Sequence, residues 1–411
     1  MPQQAPEPEE VVEIRALGHA GDGVTDEGLF VPFTLPGDIV RIEREGNRAR
    51  LLQLISPGPS RIAPPCPHFG RCGGCALQHV ERALYLKWKR DLVVTALRQR
   101  GFNDVTVDDI HAVPPGTRRR ANFKAQRTTS GVQLGFYEAQ SRILVDLRDC
   151  PVLVPELAAL LPPLRKQLIN VLQANQSAEL LATATDSGID IDLKLKAARS
   201  ADLLSALSQF GAALKLARLS WNGDEVAVTQ QPSMRVGRFS VALPPDAFLQ
   251  PTREGERFLQ EAVMSSVGKA RRVADLFCGC GTFALGLADA PVVHAVDSVQ
   301  AQVEALGAAA KRGNGKVTTE VRDLFRRPLL PAELARFDAV VLDPPRPGAA
   351  EQAKALAKSE VPGVLYVSCN AASFARDARI LADGGYRLVS VRPLDQFVWS
   401  PHVELFAEFS R

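Results

Sequence analysis

In the C-terminal part of this 411-residue chain, one thiol, two carboxylates and a glycine turn have the types and spacing to do chemistry. Val367-Ser368-Cys369-Asn370 closes an apolar run, which puts the Cys369 thiol at a strand end. A cysteine there is usually a small buried hydrophobe. Its thiolate is also the nucleophile that a pyrimidine needs at carbon 6 before carbon 5 can take an electrophile. One crossover earlier, Asp343-Pro344-Pro345-Arg346 follows the apolar run 337–342; the prolines stiffen the loop and turn Asp343 toward the same sheet edge. Read blandly it is a proline turn, but it also suits a loop that grips a planar ring. Addition at carbon 6 leaves a proton on carbon 5 that a base must remove. Glu404, in Pro401-His402-Val403-Glu404, is the candidate, against the plainer reading of a solvated strand-end carboxylate.

Asp275-Leu276-Phe277-Cys278-Gly279-Cys280-Gly281-Thr282 places a glycine turn after a buried strand, where a cofactor can come close to the backbone. Gly279-x-Gly281-x-x-Ala284 also fits a dinucleotide fingerprint, with Asp297 at the distance of a ribose-binding acid. In either reading Asp297 accepts from ribose hydroxyls. The Asp343 loop separates the two, since a nicotinamide enzyme has no particular use for it. Seven cysteines, odd in number and unevenly spread, argue against a disulfide framework and for metal binding or catalysis in a reducing, cytoplasmic setting. Cys72-Gly73-Gly74-Cys75 is a good metal knuckle, whereas Cys278 and Cys280 read as packing residues of the glycine turn.

The chain is too long for one core at roughly 100–200 residues per domain. Its longest apolar runs fall far short of the ~20 residues of a membrane span, and the acidic start does not make a signal peptide. Residues 1–10 read as a disordered lead. Four β-type runs, 11–17, 29–34, 38–43 and 49–54, separated by Gly/Asp/Asn turns, predict a small β-barrel. Prolines break structure around the first cysteines, and 81–100 resumes as an amphipathic helix stopped by Gly101. Residues 105–245 mix strands (133–137, 189–195) with helices (155–173, 201–210) in a central α/β part. From Asp246, strands at 272–277, 292–297, 316–322, 337–343 and 361–368 alternate with helices, and two final strands, 386–393 and 402–409, have no helix between them. This predicts a doubly wound, mostly parallel sheet with an antiparallel C-terminal pair, the arrangement of class I S-adenosylmethionine-dependent methyltransferases. Charge is uneven. Residues 61–130 hold 13 Lys/Arg against 5 Asp/Glu, with Tyr85, Trp88, Phe102 and Phe123 interleaved, a pattern suited to phosphates and unstacked bases or to solvated helix faces.

Taken together these residues resemble the RNA uridine-5-methyltransferases, in particular the iron–sulfur branch that acts on 23S ribosomal RNA, over nearly the whole chain. Gly18-His19-Ala20-Gly21-Asp22-Gly23 and the strands after it are similar to the TRAM domain, an RNA-binding β-barrel. The resemblance implies three parts: a barrel (1–58), a cluster loop with the central α/β part (59–245) and a methyltransferase domain (246–411). By the same resemblance Cys66-x5-Cys72-x2-Cys75 and Cys150 are the four ligands of a structural [4Fe-4S] cluster, although the spacing alone would equally hold zinc. Phe248-Leu249-Gln250-Pro251-Thr252 resembles the loop that opens the catalytic domain. Gln250 is then implied to contact the methyl donor or the uracil, and Phe277, Thr282, Asp297, Asp323 and Asp343 to line the S-adenosylmethionine site, with Cys369 as nucleophile and Glu404 as base. RNA is the implied partner, with no membrane and no obligate protein partner. The chain departs from the family pattern in Thr252, where Asn is usual, and in Ala371, where Pro is usual. The rival readings are a transfer-RNA uridine-5-methyltransferase, an RNA 5-methylcytosine enzyme, a non-catalytic RNA-binding iron–sulfur protein and an NAD-dependent oxidoreductase.

Overall fold

Alternation of apolar and polar residues from Val11 gives one buried face with a period of two, and in the computed structural model, which describes residues 9–289 and 291–411, it becomes β1 (Glu9–Leu17). Most of the expected disordered lead lies outside the described residues; its last two, Glu9 and Glu10, already pair with Glu43 and Ile42. β2 (Gly23–Thr25), β3 (Phe30–Val31), β4 (Ile39–Glu45) and β5 (Arg48–Ser56) close the barrel in the order β1-β2-β3-β5-β4 around Ile14, Val31, Val40 and Ile42. The barrel thus has five strands where the sequence announces four runs. β2 is only three residues long and contains Gly23, too short to show a period.

After the proline-rich cysteine loop comes α1 (Arg82–Arg98), whose cap Glu81 accepts from the backbone N–H groups of Ala83 and Leu84. β6 (His111–Ala112) is followed by β7 (Arg120–Thr128), β8 (Gly131–Tyr137), β9 (Leu144–Asp146), α2 (Pro155–Ala158), α3 (Leu161–Leu168), β10 (Ser177–Thr185), β11 (Gly188–Lys194), α4 (Ala201–Ala213), β12 (Arg218–Trp221) and β13 (Asp224–Val228). The central sheet runs β13-β12-β11-β10-β7-β8-β9. The single helix expected over 155–173 is two. Pro162 and Pro163 donate no N–H and start a new helix rather than continue the old one.

A hairpin of β14 (Ser233–Val236) and β15 (Phe239–Ala242) leads to α5 (Arg253–Val267) and the C-terminal sheet: β16 (Arg272–Leu276), α6 (Ala284–Leu287), β17 (Val292–Asp297), α7 (Gln300–Arg312), β18 (Val317–Val321), α8 (Pro331–Leu334), β19 (Ala339–Leu342), α9 (Ala350–Ala357), β20 (Gly363–Ser368), α10 (Ala371–Asp383), β21 (Arg387–Asp395) and β22 (Glu404–Ser410). Strand order is β18-β17-β16-β19-β20-β22-β21-β6, with β22 antiparallel to both neighbours. The all-parallel six-strand dinucleotide sheet has no such inserted strand, so the topology is that of a class I methyltransferase. The eighth strand, β6, pairs parallel to β21 at the edge and was not foreseen from its two residues. α1 also packs on α10 and β21, so residues of the middle segment are built onto the C-terminal sheet.

The basic block is partly spent inside the fold. Arg61 pairs with buried Asp38, Lys89 with Asp395 and Arg119 with Glu256. Tyr85, Trp88 and Phe123 are buried, and Phe102 packs under Arg379, so these four rings are core and not a stacking platform for bases. Tyr85 and Trp88 share the buried side of α1, Phe123 points inward from β7, and Phe102 packs just past the helix. Among the described residues no helix is long and apolar enough to cross a membrane.

Candidate active site

Parallel strands end at one edge, and an antiparallel neighbour begins there. This brings Leu276, Asp297, Asp343 and Cys369, each at or just past the end of its strand, together with Glu404, the first residue of β22. Ser368 pairs with Leu405, so Cys369 and Glu404 come next to each other in register. Four side chains form a hydrogen-bonded row: Gln250 Nε2 donates to Asp343 Oδ2 at 3.2 Å, Gln396 Nε2 donates to Gln250 Oε1 at 2.9 Å, and the same amide donates to Glu404 Oε2 at 2.9 Å. The sequence singled out three of these four. Gln396 follows the end of β21 without any motif around it, and nothing in the sequence marks it.

The electrostatics are those of a carboxylate-rich, desolvated crevice. Burial, with repulsion from Asp343, pushes Glu404 well above the usual carboxylate range, opposed by the Gln396 N–H. Burial raises Asp343 to about 7 against the Gln250 hydrogen bond, and Asp297 adds repulsion. The Cys369 thiol is pushed up to about 12, by burial first and then by Glu404 and Asp343. Cys369 directly precedes Asn370, whose side chain caps α10 by accepting from the N–H groups of Ala372 and Ser373. Both departures from the family pattern keep this cap chemistry. Ala371 is the first helical residue, where Pro is favoured but a good helix former serves. Thr252 is the cap of α5, its Oγ1 accepting from Gly255 N at 3.0 Å as an Asn side chain would.

The Gln250 loop is held by residues that the sequence counted as phosphate-seeking cations. Arg119 donates from Nε to the Gln250 carbonyl and from its backbone N to that of Pro251, and it pairs with Glu256 of α5. Arg120 reaches the Leu249 carbonyl and lies over the exposed Phe248 ring.

On the other side of Asp343, the turn after β16 is bent into a cradle. Phe277, Gly279 and Gly281 all have positive φ, and a Cβ on Gly281 would stand 2.8 Å from the Leu306 side chain. Asp297 Oδ2 accepts from Gly279 N and Oδ1 from Val299 N, both at 3.0 Å; a carboxylate offers about four acceptor positions, so two remain for hydroxyls. Asp275 is fully buried with Oδ1 unpartnered among the described residues, and burial lifts it to about 8. Thr282 is half-buried in the same turn. Phe325, itself exposed, packs its ring 5.5 Å from that of Phe277, and Asp323 Oδ1 accepts from Phe325 N. The cradle, the two ring faces and the free acceptor positions fit the adenosine part of a donor. Asp297→Ala is expected to weaken S-adenosylhomocysteine binding by about 10–100-fold, the loss of one charged hydrogen-bonding group. Isothermal titration calorimetry checks it.

Cys66, Cys72, Cys75 and Cys150 line one cavity of about 1050 Å³ between the barrel, the cysteine loop, β8 and residues 397–402. Burial and mutual repulsion raise the Cys72, Cys75 and Cys150 thiols. Among the described residues no three Cys, His, Asp or Glu side chains stand close enough to hold one metal ion as they are.

The family profile for tRNA (uracil-5-)-methyltransferases matches residues 222–408. An uncharacterized RNA methyltransferase of Brucella suis is 45% identical over 97% of this chain and 97% of its own. The 23S rRNA (uracil(1939)-C(5))-methyltransferase RlmD of Halomonas elongata is 33% identical over 95% of this chain and 87% of its own. Among solved structures, the Pyrococcus abyssi tRNA (uracil-54, C5)-methyltransferase in complex with S-adenosyl-L-homocysteine superposes with a TM-score of 0.75 at 25% identity, covering 97% of this chain and 99% of that one. With the strand order and these matches in agreement, the chain belongs to the RNA uracil-C5-methyltransferase family and is an S-adenosylmethionine-dependent enzyme of it.

Proposed function

We propose that this enzyme makes 5-methyluridine in 23S ribosomal RNA through a covalent adduct on Cys369, with Glu404 as the base that releases it. The observation that carries the reading is the convergence of Cys369, Asp343, Gln250 and Glu404 at one sheet edge beside the donor cradle. When bound, S-adenosylmethionine supplies an electrophilic methyl group. Cys369 Sγ, its proton passed to water, bonds to carbon 6 of a uridine splayed out of its loop, and the electron pair of the 5,6 double bond moves to carbon 5. Once carbon 5 carries the methyl group, Glu404 takes its proton. The electrons restore the double bond, and the sulfur–carbon bond breaks. Gln250 and Asp343 hold the ring edge, and Asp297, Phe277, Thr282 and Asp323 the donor. The Asp343 loop holds no second cysteine, a plain difference from a 5-methylcytosine enzyme.

Residues 1–58 form the RNA-binding barrel in this reading, 59–245 the cluster loop and central part, and 246–411 the methyltransferase domain. Ribosomal RNA is favoured by the closer identity to the Halomonas enzyme than to the Pyrococcus one. RNA labelled with tritium at carbon 5 of uridine, supplied as ribosomal and as transfer RNA, tests it: tritium leaves the ribosomal pool only. Release from transfer RNA alone moves the substrate, and no release despite methyl transfer removes the Cys369 mechanism.

The cysteine set suits a [4Fe-4S] cluster. Each thiolate would take one iron of the cube, and what supports the reading is that Cys66, Cys72, Cys75 and Cys150 line one cavity. The cluster would tie the loop 66–75 to Cys150, with all four ligand positions filled by protein. Protein purified without oxygen is expected to carry about four irons and four sulfides per chain; zinc alone would refute the cluster.

A further inference from the structure

We infer that Gln396 is a positioning residue of the methyl-transfer site, holding Glu404 ready for proton removal and locking it in step with the uracil-binding Gln250. The inference rests on Glu404 being the releasing base. Three independent features seat this side chain. Its amide nitrogen spends both hydrogens inside the site, one on Gln250 Oε1 and one on Glu404 Oε2. Its backbone is fixed by the residue before it. Asp395, buried at the end of β21, pairs with Lys89 of α1 and accepts from the Tyr85 hydroxyl at 2.6 Å, while that hydroxyl accepts from Trp399 N at 2.8 Å on the far side of the turn. The third is a notch in α5. A Cβ on Gly255 would stand 2.4 Å from Gln396 Oε1 and 2.8 Å from Thr252 Oγ1, so the glycine leaves the room that the amide fills. Among the described residues Gln396 Oε1 accepts no hydrogen bond, and it is buried, which costs stability. An apolar side chain of the same volume would avoid that cost, so the amide is of use for its two donated hydrogens.

The hydrogen on Glu404 matters because of what else faces that carboxylate. Asp343, in the loop after β19, stands across the row, Cys369 lies just past β20, and the neutral amides of Gln250 and Gln396 complete the row, while Arg346 acts on Cys369. Two acids and a thiol in a desolvated pocket all disfavour a second negative charge, and Gln396 supplies the hydrogen bond that opposes them. Without it Glu404 holds its proton to higher pH. Fewer molecules then have a free base at a given pH, so the rise of the release rate with pH moves upward.

Gln396→Met keeps the volume and removes the hydrogen bonds. Transcripts of 23S rRNA and of transfer RNA, with S-adenosylmethionine, are followed for protein–RNA adduct on denaturing gels and for free product from pH 6 to 9, with Glu404→Gln in parallel. In Gln396→Met, adduct should accumulate, product release near pH 7 should fall about ten-fold or more, the loss of one such hydrogen bond, and raising the pH should restore it. Gly255→Ala, which displaces the amide without touching a reacting group, should shift the profile in the same direction. If Gln396→Met and Gly255→Ala release product with the wild-type pH profile while Glu404→Gln traps adduct, the inference is wrong and the base assignment stands. If Glu404→Gln itself traps nothing, the base assignment fails and the inference goes with it.

Discussion

Cys369→Ala is expected to lower methyl transfer by at least about 10⁴-fold, the scale seen when a covalent nucleophile is removed, and to leave S-adenosylhomocysteine affinity within about two-fold, well under the ~1.4 kcal/mol of a tenfold change. The separation follows from the geometry. Cys369 lies at the end of β20 beside Glu404, whereas the donor cradle is built on β16 and β17, with Asp343 between them. Turnover on labelled RNA and calorimetry with S-adenosylhomocysteine read the two effects. The resting thiol is held protonated by burial and by its acidic neighbours, so the site does not store a thiolate; the positive end of α10, which starts two residues on, favours the thiolate as attack begins. Adduct formation should therefore rise with pH through the neutral range, since a group raised toward 12 gains thiolate steadily below that value. A variant that keeps near wild-type turnover, or an adduct mapped to another residue, would remove Cys369 from the reaction.

What the sequence showed of this site, and what it hid, divides along the nature of the contacts. Strand ends are readable because a buried parallel strand is a continuous apolar run, and the first polar residue after it lies at the ligand edge. Asp343 was placed in this way, Asp297 and Cys369 simply by standing at the end of an expected strand, and all three lie at that edge. Glu404 was found as a carboxylate near the start of the last strand, expected at 402–409, and it is the first residue of β22. Gln396 escaped because its importance comes from partners 146 and 8 residues away, and a lone Gln after a strand has no period or motif to announce that. The basic block misled for the opposite reason. A count of charges does not tell a solvated Arg from Arg119, whose guanidinium holds the Gln250 loop from inside. The barrel was legible in outline from its turns, but β2 and β6 owe their strand form to neighbours and not to their own three and two residues.

Lys89→Met should cost about 3–5 kcal/mol of stability, because it leaves the Asp395 carboxylate buried beside the Tyr85 hydroxyl with its cation gone. Both charged groups are almost fully enclosed, and the Lys89 ammonium also donates to the Phe397 carbonyl at 2.9 Å. At about 2–4 °C per kcal/mol for a part of this size, the melting temperature should drop by roughly 10 °C. The pair is not an inert staple. The Trp399 backbone N–H donates to the Tyr85 hydroxyl, and the Trp399 carbonyl accepts from Ala76 and Leu77, just past Cys75, so one buried group joins the cysteine loop, α1 and the turn that leads into Glu404. Lys89→Met combined with Asp395→Asn removes the stranded charge while an amide oxygen can still accept from Tyr85, and it should recover most of the lost melting temperature. Scanning calorimetry of the single and double variants decides. A single variant as stable as the wild type, or a double variant no better than the single, would mean that the ion pair adds nothing to the joint and that packing of Tyr85 and Trp88 against Leu77 holds it instead.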